Sequence, residues 1–92
     1  MNTMLVTMTL DPARSDEVER HFRDDVAPWA TRQPGFVSGQ WLSGGVQGFG
    51  IVVFDSQEHA DAAAVGPRSA PSVEGRAWNT DSVVVFDQVA KA

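Results

Sequence analysis

Cysteine and tyrosine are both absent from the 92 residues. Without cysteine there is no disulfide framework, no thiolate metal site and no thiol nucleophile. Without tyrosine no phenol can act as an acid. Basic charge is scarce as well. Lys91 is the only lysine, the arginines are scattered, and the net charge is −5. Recognition of phosphate needs clustered Lys and Arg, which excludes nucleic acid and anionic membrane surfaces as partners. The negative balance serves solubility. Long hydrophobic runs are missing too. Met4 to Leu10 is the only apolar run near the N-terminus, and it has neither a basic flank nor a small-residue cleavage site. It reads as a strand rather than a signal peptide, nothing reaches membrane-spanning length, and the cytoplasm is the expected compartment.

What is present describes one globular domain over residues 1–92, with 42% hydrophobic and 21% charged residues. A chain this small without covalent staples needs a dense core or a partner. Met4, Val6, Met8 and Leu10 alternate with Thr3, Leu5, Thr7 and Thr9, the period of a strand. Asp11-Pro12 signals a helix start. Val18, Phe22, Val26, Trp29 and Ala30 then recur at three- and four-residue steps on one helical stripe. Asp16/Arg20 and Glu19/Arg23 are expected as solvated pairs on the other side. Pro28 should kink this helix or close its main part near Ala27, and Pro34-Gly35 ends it.

Phe36 to Leu42 and Phe49 to Phe54 are predicted strands joined through Ser43-Gly44-Gly45. Gly50 is expected to let a bulky neighbour approach the strand. Ser56 can cap a second helix from about Gln57 to Ala64. Gly66 to Thr80 holds Pro67, Pro71 and Gly75 and reads as a long excursion with room for one helical turn, a candidate lid or dimer arm. Val83 to Val89 is the last predicted strand. The order is β-α-β-β-α-β, which gives a ferredoxin-like α+β fold: a four-stranded antiparallel sheet with two helices on one face.

Strands three and four are apolar on both faces. Phe49, Ile51 and Val53 oppose Val52 and Phe54, and Val83 and Val85 oppose Val84 and Phe86. Two helices cover only one side of a sheet. The other side would leave about 400 Å² bare in projection, and covering it favours association by on the order of 10 kcal/mol per subunit before entropic costs. A homodimer through the sheet face is the expected assembly.

These elements resemble the dimeric α/β-barrel superfamily, and within it the small antibiotic-biosynthesis-monooxygenase-like proteins. The resemblance spans nearly the whole chain. It rests on a first strand ending in Asp11-Pro12, a long helix closed by Gln33-Pro34-Gly35-Phe36, and the following Trp41. It continues through Ile51-Val52-Val53-Phe54-Asp55 leading into Ser56-Gln57-Glu58-His59-Ala60. It implies a homodimer with a cavity in each subunit between sheet and helices. Characterised members include cofactor-independent oxygenases of polycyclic aromatic compounds and haem-degrading oxygenases, and others have no assigned activity. The haem-degrading branch uses an Asn on the first strand with a Trp and a His near the second helix. Here the first strand has Val6 and Thr7, the second helix has Ala62 to Ala64, and no His follows His59. Haem degradation is therefore not the activity expected.

Candidate site residues are few. His21 has Glu17 and Asp25 four residues to either side, and reads either as a base at a cavity mouth or as a surface histidine beside carboxylates. His59, in the first turn of helix two, reads as surface, because no further ligands converge at metal-binding spacing. Trp29, Trp41 and Trp78, with Phe22, are candidate ligand contacts, since an indole at a cavity edge can stack on and orient a flat molecule. The competing roles are core for Trp29 and dimer interface for Trp41 or Trp78. Asn79 is the other polar candidate. The glycines from Gly44 to Gly50 make no phosphate loop, because no helix or Lys-Ser/Thr follows. Two functions fit: a cofactor-independent oxygenase, without metal or flavin, acting on an aromatic or polyketide-type molecule, or a non-catalytic module that binds a small apolar ligand or acts through its dimer surface.

Overall fold

A computed structural model describes residues 1–92. β1 (Asn2–Leu10) leads through a 3-10 turn at Pro12–Arg14 into α1 (Ser15–His21), a π-helical turn (Phe22–Val26) and α2 (Ala27–Thr31). β2 (Phe36–Gly44) and β3 (Gln47–Phe54) form a hairpin, followed by α3 (Gln57–Ser69) and β4 (Trp78–Asp87). The sheet order is β2-β3-β1-β4, antiparallel throughout. This is the ferredoxin-like arrangement expected from the order of elements.

β1 shows why the sheet has a helix side and an open side. Met4, Val6, Met8 and Leu10 are buried beneath the helices, whereas Thr3, Leu5, Thr7 and Thr9 face the other way. Val52 and Phe54 of β3 extend the inner row, and Val18, Phe22 and Ala30 meet it from the helical arm. Ala60, Ala63 and Ala64 let α3 approach the sheet closely. Each large side chain removed from water in this way stabilises the fold by roughly 1.5–3 kcal/mol.

The helical arm does not end at Pro28. Proline lacks an N–H and crowds the carbonyl four residues back. Here the strain is met by a π turn just before it, in which Ala27 N–H donates to the Phe22 carbonyl, and the helix resumes to Thr31. The expected Asp16/Arg20 and Glu19/Arg23 pairs do not form. Arg14 forks Glu17 instead, and Arg23 meets Asp24.

The largest differences from the sequence expectation are in the extents of α3 and β4. α3 continues past Ala64 to Ser69 with Pro67 inside it, its last turn tied to β4 by Arg68 Nε donating to the Val83 carbonyl at 3.1 Å. β4 starts at Trp78, not Val83, and ends at Asp87, not Val89. The register against β1 shifts between Thr7/Ser82 and Met8/Thr80, leaving Asp81 as the extra residue of a bulge. A bulge flips the face of everything beyond it, so the period-two signal breaks there. The supposed Gly66–Thr80 excursion contracts to residues 70–77.

A tight joint closes the hairpin side. Gly35 has φ +79°, and its carbonyl accepts from Asp55 N–H at 2.9 Å. His59 donates from Nδ1 to Asp55 Oδ1 at 2.6 Å, and Ser56 caps α3. The hydrogen bond from His59 holds the Asp55 carboxyl below its ordinary range. Its contribution to folding is therefore present near neutrality and is lost as pH falls through the depressed Asp55 value. A Cβ at Gly35 would collide with the His59 ring, lying 2.7 Å from His59 Cβ, whereas nothing lies within 4 Å of one at Gly45 (φ +73°). Gly45→Ala is expected to cost about 1 kcal/mol of backbone strain, and Gly35→Ala about 2–3 kcal/mol. Urea denaturation of the two variants measures the difference.

Candidate functional site

The helical arm and α3 both lie on the inner face of the sheet, and between them is a cavity of about 350 Å³. Met4, Val6 and Met8 of β1 form its floor. Val26 and Trp29 wall it on the arm side; Gly66, Pro67 and Ala70 wall it on the α3 side. Trp78 and Thr80 come from β4, on the inner face because of the Asp81 bulge. The lining is mostly apolar. Its polar groups, His21, Asp25, Arg76 and Thr80, sit to one side.

His21 is at the mouth. Its Nδ1 lies 2.8 Å from Asp25 Oδ2, one helical turn on, and its ring is tilted against Trp78 with centroids 5.6 Å apart. Trp78 in turn meets Phe22 edge-on at 5.1 Å. Arg76 places its guanidinium 5.2 Å from the Trp78 ring centroid, within cation–π range. Imidazole, carboxylate, indole and guanidinium thus converge from two elements remote in sequence.

Of the residues singled out from the sequence, His21, Trp29 and Trp78 line this cavity. Phe22 is buried behind Trp78. Trp41 lies elsewhere: it crosses Gly50, whose Cβ position is 3.1 Å from the indole Nε1, and borders a separate groove with Val18 and Phe22. Gly50 thus admits a bulky neighbour as expected. Trp41 and Trp78 both project to the helix side, so neither belongs to the open sheet face. Asn79 is outside the cavity as well. It follows Trp78 on β4 and points to the opposite face, where its amide accepts from Val73 N–H at 3.0 Å and donates to the Val73 carbonyl at 3.2 Å. It ties down the connection between α3 and β4 and has no access to a ligand in the cavity. His59 belongs to the Asp55 joint, and no group of three or more His, Asp or Glu side chains comes together as metal ligands would.

No family model and no curated protein matches the sequence. Solved structures do match. The haem-degrader MhuD of Mycobacterium tuberculosis, with two haems bound in its active site, superposes with a TM-score of 0.73 at 20% identity, over 100% of this chain and 99% of that one. A mutant of MhuD with two manganese protoporphyrin IX per active site gives 0.68 at 20% identity, covering 100% and 98%. A monooxygenase from ActVA-Orf6 of Streptomyces coelicolor, in complex with nanaomycin D, gives 0.64 at 19% identity, covering 99% and 89%. The chain has the same fold as these structures, a four-stranded antiparallel sheet with helices in ferredoxin-like order. Its neighbours are antibiotic-biosynthesis-monooxygenase-like proteins, the group its sequence resembles. At such identities the likeness is one of fold, and the chemistry must be argued from this chain's own residues.

Arg76, Thr80, Gly66 and Pro67 also line the cavity and were not singled out from the sequence. The first two were hidden with the true start of β4, and the other two because α3 continues through Pro67. Replacing Asn79 with Ala should release the connection without touching the cavity. Each lost side-chain-to-backbone bond is worth about 1 kcal/mol or less at an exposed site. The expected result is faster hydrogen exchange at the Val73 amide with exchange in β1 unchanged.

Proposed function

We propose that the chain is a small homodimeric, cofactor-independent monooxygenase-like enzyme acting on an aromatic or polyketide-type molecule. The observation that carries this reading is the His21–Asp25 pair at the mouth of an apolar cavity. A carboxylate on Nδ1 favours the tautomer with its proton there, leaving Nε2 with a lone pair that can accept a proton. In a hydroxyarene bound over Met4, Val6 and Met8, His21 would take the phenolic proton. The electron-rich ring would then bond to dioxygen at the para carbon. The resulting peroxide would lose water to give a quinone, with dioxygen as the only oxidant and both its atoms accounted for in product and water. Trp29, Trp78 and the sheet floor would hold the ring and exclude solvent, which is where positioning contributes to rate.

Haem fits this cavity poorly. α3 and the segment after it contribute Gly66, Pro67 and Ala70 to the wall, none of which can ligate iron. The only cavity imidazole, His21, comes from the helical arm rather than from α3, and its ring is packed on Trp78.

The homodimer is supported by the open sheet face. Leu42, Val84 and Phe86 are 43%, 43% and 49% exposed there, beside half-buried Leu5, Phe49, Ile51 and Val53. A continuous apolar face of this kind is uncommon on a monomer. No helix is long and apolar enough to cross a membrane, in keeping with a cytoplasmic site of action. A second reading, a non-catalytic module that binds a small apolar ligand, gains from the position of Asn79, which leaves His21–Asp25 as the sole acid–base pair beside the cavity.

Two measurements test these points. Oxygen uptake with a naphthol or anthrone-type substrate should fall about 10²-fold or more in His21→Ala and less in Asp25→Asn; ligand binding without uptake favours the second reading. Sedimentation should give a dimer that Phe49→Arg converts to monomer, because a charge cannot be buried unpaired in an apolar interface. A monomeric parent protein would refute the pairing.

A further inference from the structure

Outside His21 the apolar cavity opens into a second, polar one of about 410 Å³, lined by Arg14, Glu17, Arg20, Gly75 and Ala77. The two share His21, Asp25, Arg76 and Trp78. This vestibule has an uneven charge balance. Both of its carboxylates are taken: Glu17 by Arg14, through bonds of 2.7 and 2.8 Å, and Asp25 by His21. The third bond of Arg14 goes to the Gly75 carbonyl at 2.5 Å. Glu17 is held below its usual range by the same fork. Arg20 and Arg76 have no carboxylate partner. Three arginines thus stand against two carboxylates in a protein whose net charge is −5. Unmatched positive charge gathers beside the apolar cavity, along the wall of His21, Asp25, Arg76 and Trp78 that the two cavities share.

Arg76 is also held in place. Its guanidinium lies against the Trp78 ring, and its backbone N–H donates to the Val73 carbonyl at 3.3 Å. A guanidinium held over an indole by a cation–π contact, with no carboxylate partner, has N–H groups free for an incoming oxyanion. A ring on Trp78 and the methionine floor would put a substituent on its outer edge beside Arg76, with Arg20 farther out.

We propose that the ligand is an aromatic molecule bearing a carboxylate, its rings in the apolar cavity and its acid group held by Arg76 with help from Arg20. This rests on the reading of the cavity as the ligand site, and it adds the anionic class and the residues that select it. Trp29 and Met8 would see the rings, and Arg76 the acid.

Calorimetric titration with 2-naphthoate and with 2-naphthylmethanol, which share their rings and differ in charge, tests the selection. Wild-type protein should bind the acid more tightly, and added salt should weaken only the acid. Arg76→Gln should reduce naphthoate affinity about 10-fold, the range of one charge-assisted hydrogen bond, and leave the alcohol within twofold. Arg20→Gln should cost the acid about threefold. Arg76→Lys should restore part of the loss, which a merely structural role of Arg76 would not allow. Equal binding of the two ligands by wild-type protein, or equal loss of both in Arg76→Gln, overturns the acid-selecting role and leaves the cavity reading standing. Failure of both ligands to bind overturns both.

Discussion

The structure depends on the two-sided pairing of β1. That strand lies between β3 and β4, bonded to both along nearly its whole length, and its alternation fixes what lies on each side of the molecule. One row, Met4, Val6, Met8 and Leu10, is the centre of the core, and its first three members are also the floor of the cavity. The other row sets the character of the open face. A slip of one residue would exchange the two and expose the core row. Core packing and site geometry are therefore one constraint, and the cavity is the part of the interlayer space that the helices leave unfilled.

That space stays open because the helices are spaced by different means. α3 comes close on three alanines, then thins to Gly66 and Pro67 where the cavity begins. The opposite arm carries larger groups, and the π turn before Pro28 gives it an irregular face just where His21, Asp25, Val26 and Trp29 reach the cavity. Such turns recur at functional sites because they break the even spacing of an α-helix. The cavity here is shaped by local departures from regular geometry, each with a sequence cause.

Much of this was legible in the chain. The alternation of β1, the stripe Val18–Phe22–Ala30 and the hairpin glycines led directly to the right elements, because each reflects burial on one side of one element. His21, Trp29 and Trp78, which line the cavity, were singled out by residue type: the imidazole for the carboxylates one turn to either side, the indoles for their capacity to stack on a flat molecule. What could not be read depended on pairing between distant segments. Asp81 looks like one more polar residue until its register against Thr7 and Met8 is known, and without that register Trp78 and Asn79 cannot be assigned to opposite faces. Gly66-Pro67 is a breaker by local rules, yet the helix passes through it with Arg68 tied to Val83. The Arg14–Glu17 and His21–Asp25 pairs are short-range, but that they leave two arginines unmatched is visible only once the vestibule is assembled.

The methionine floor has a consequence of its own. Met4 and Met8 are unbranched, with several rotatable bonds and a polarisable sulfur, so they conform to a surface laid on them at little cost. The walls are stiffer: two indoles, a proline and a valine. A site with a pliant base between stiff sides accepts variation in the outline of a flat molecule while remaining strict about its thickness and tilt. Related compounds that differ in ring substituents could share such a site, whereas a puckered or branched skeleton of the same volume could not.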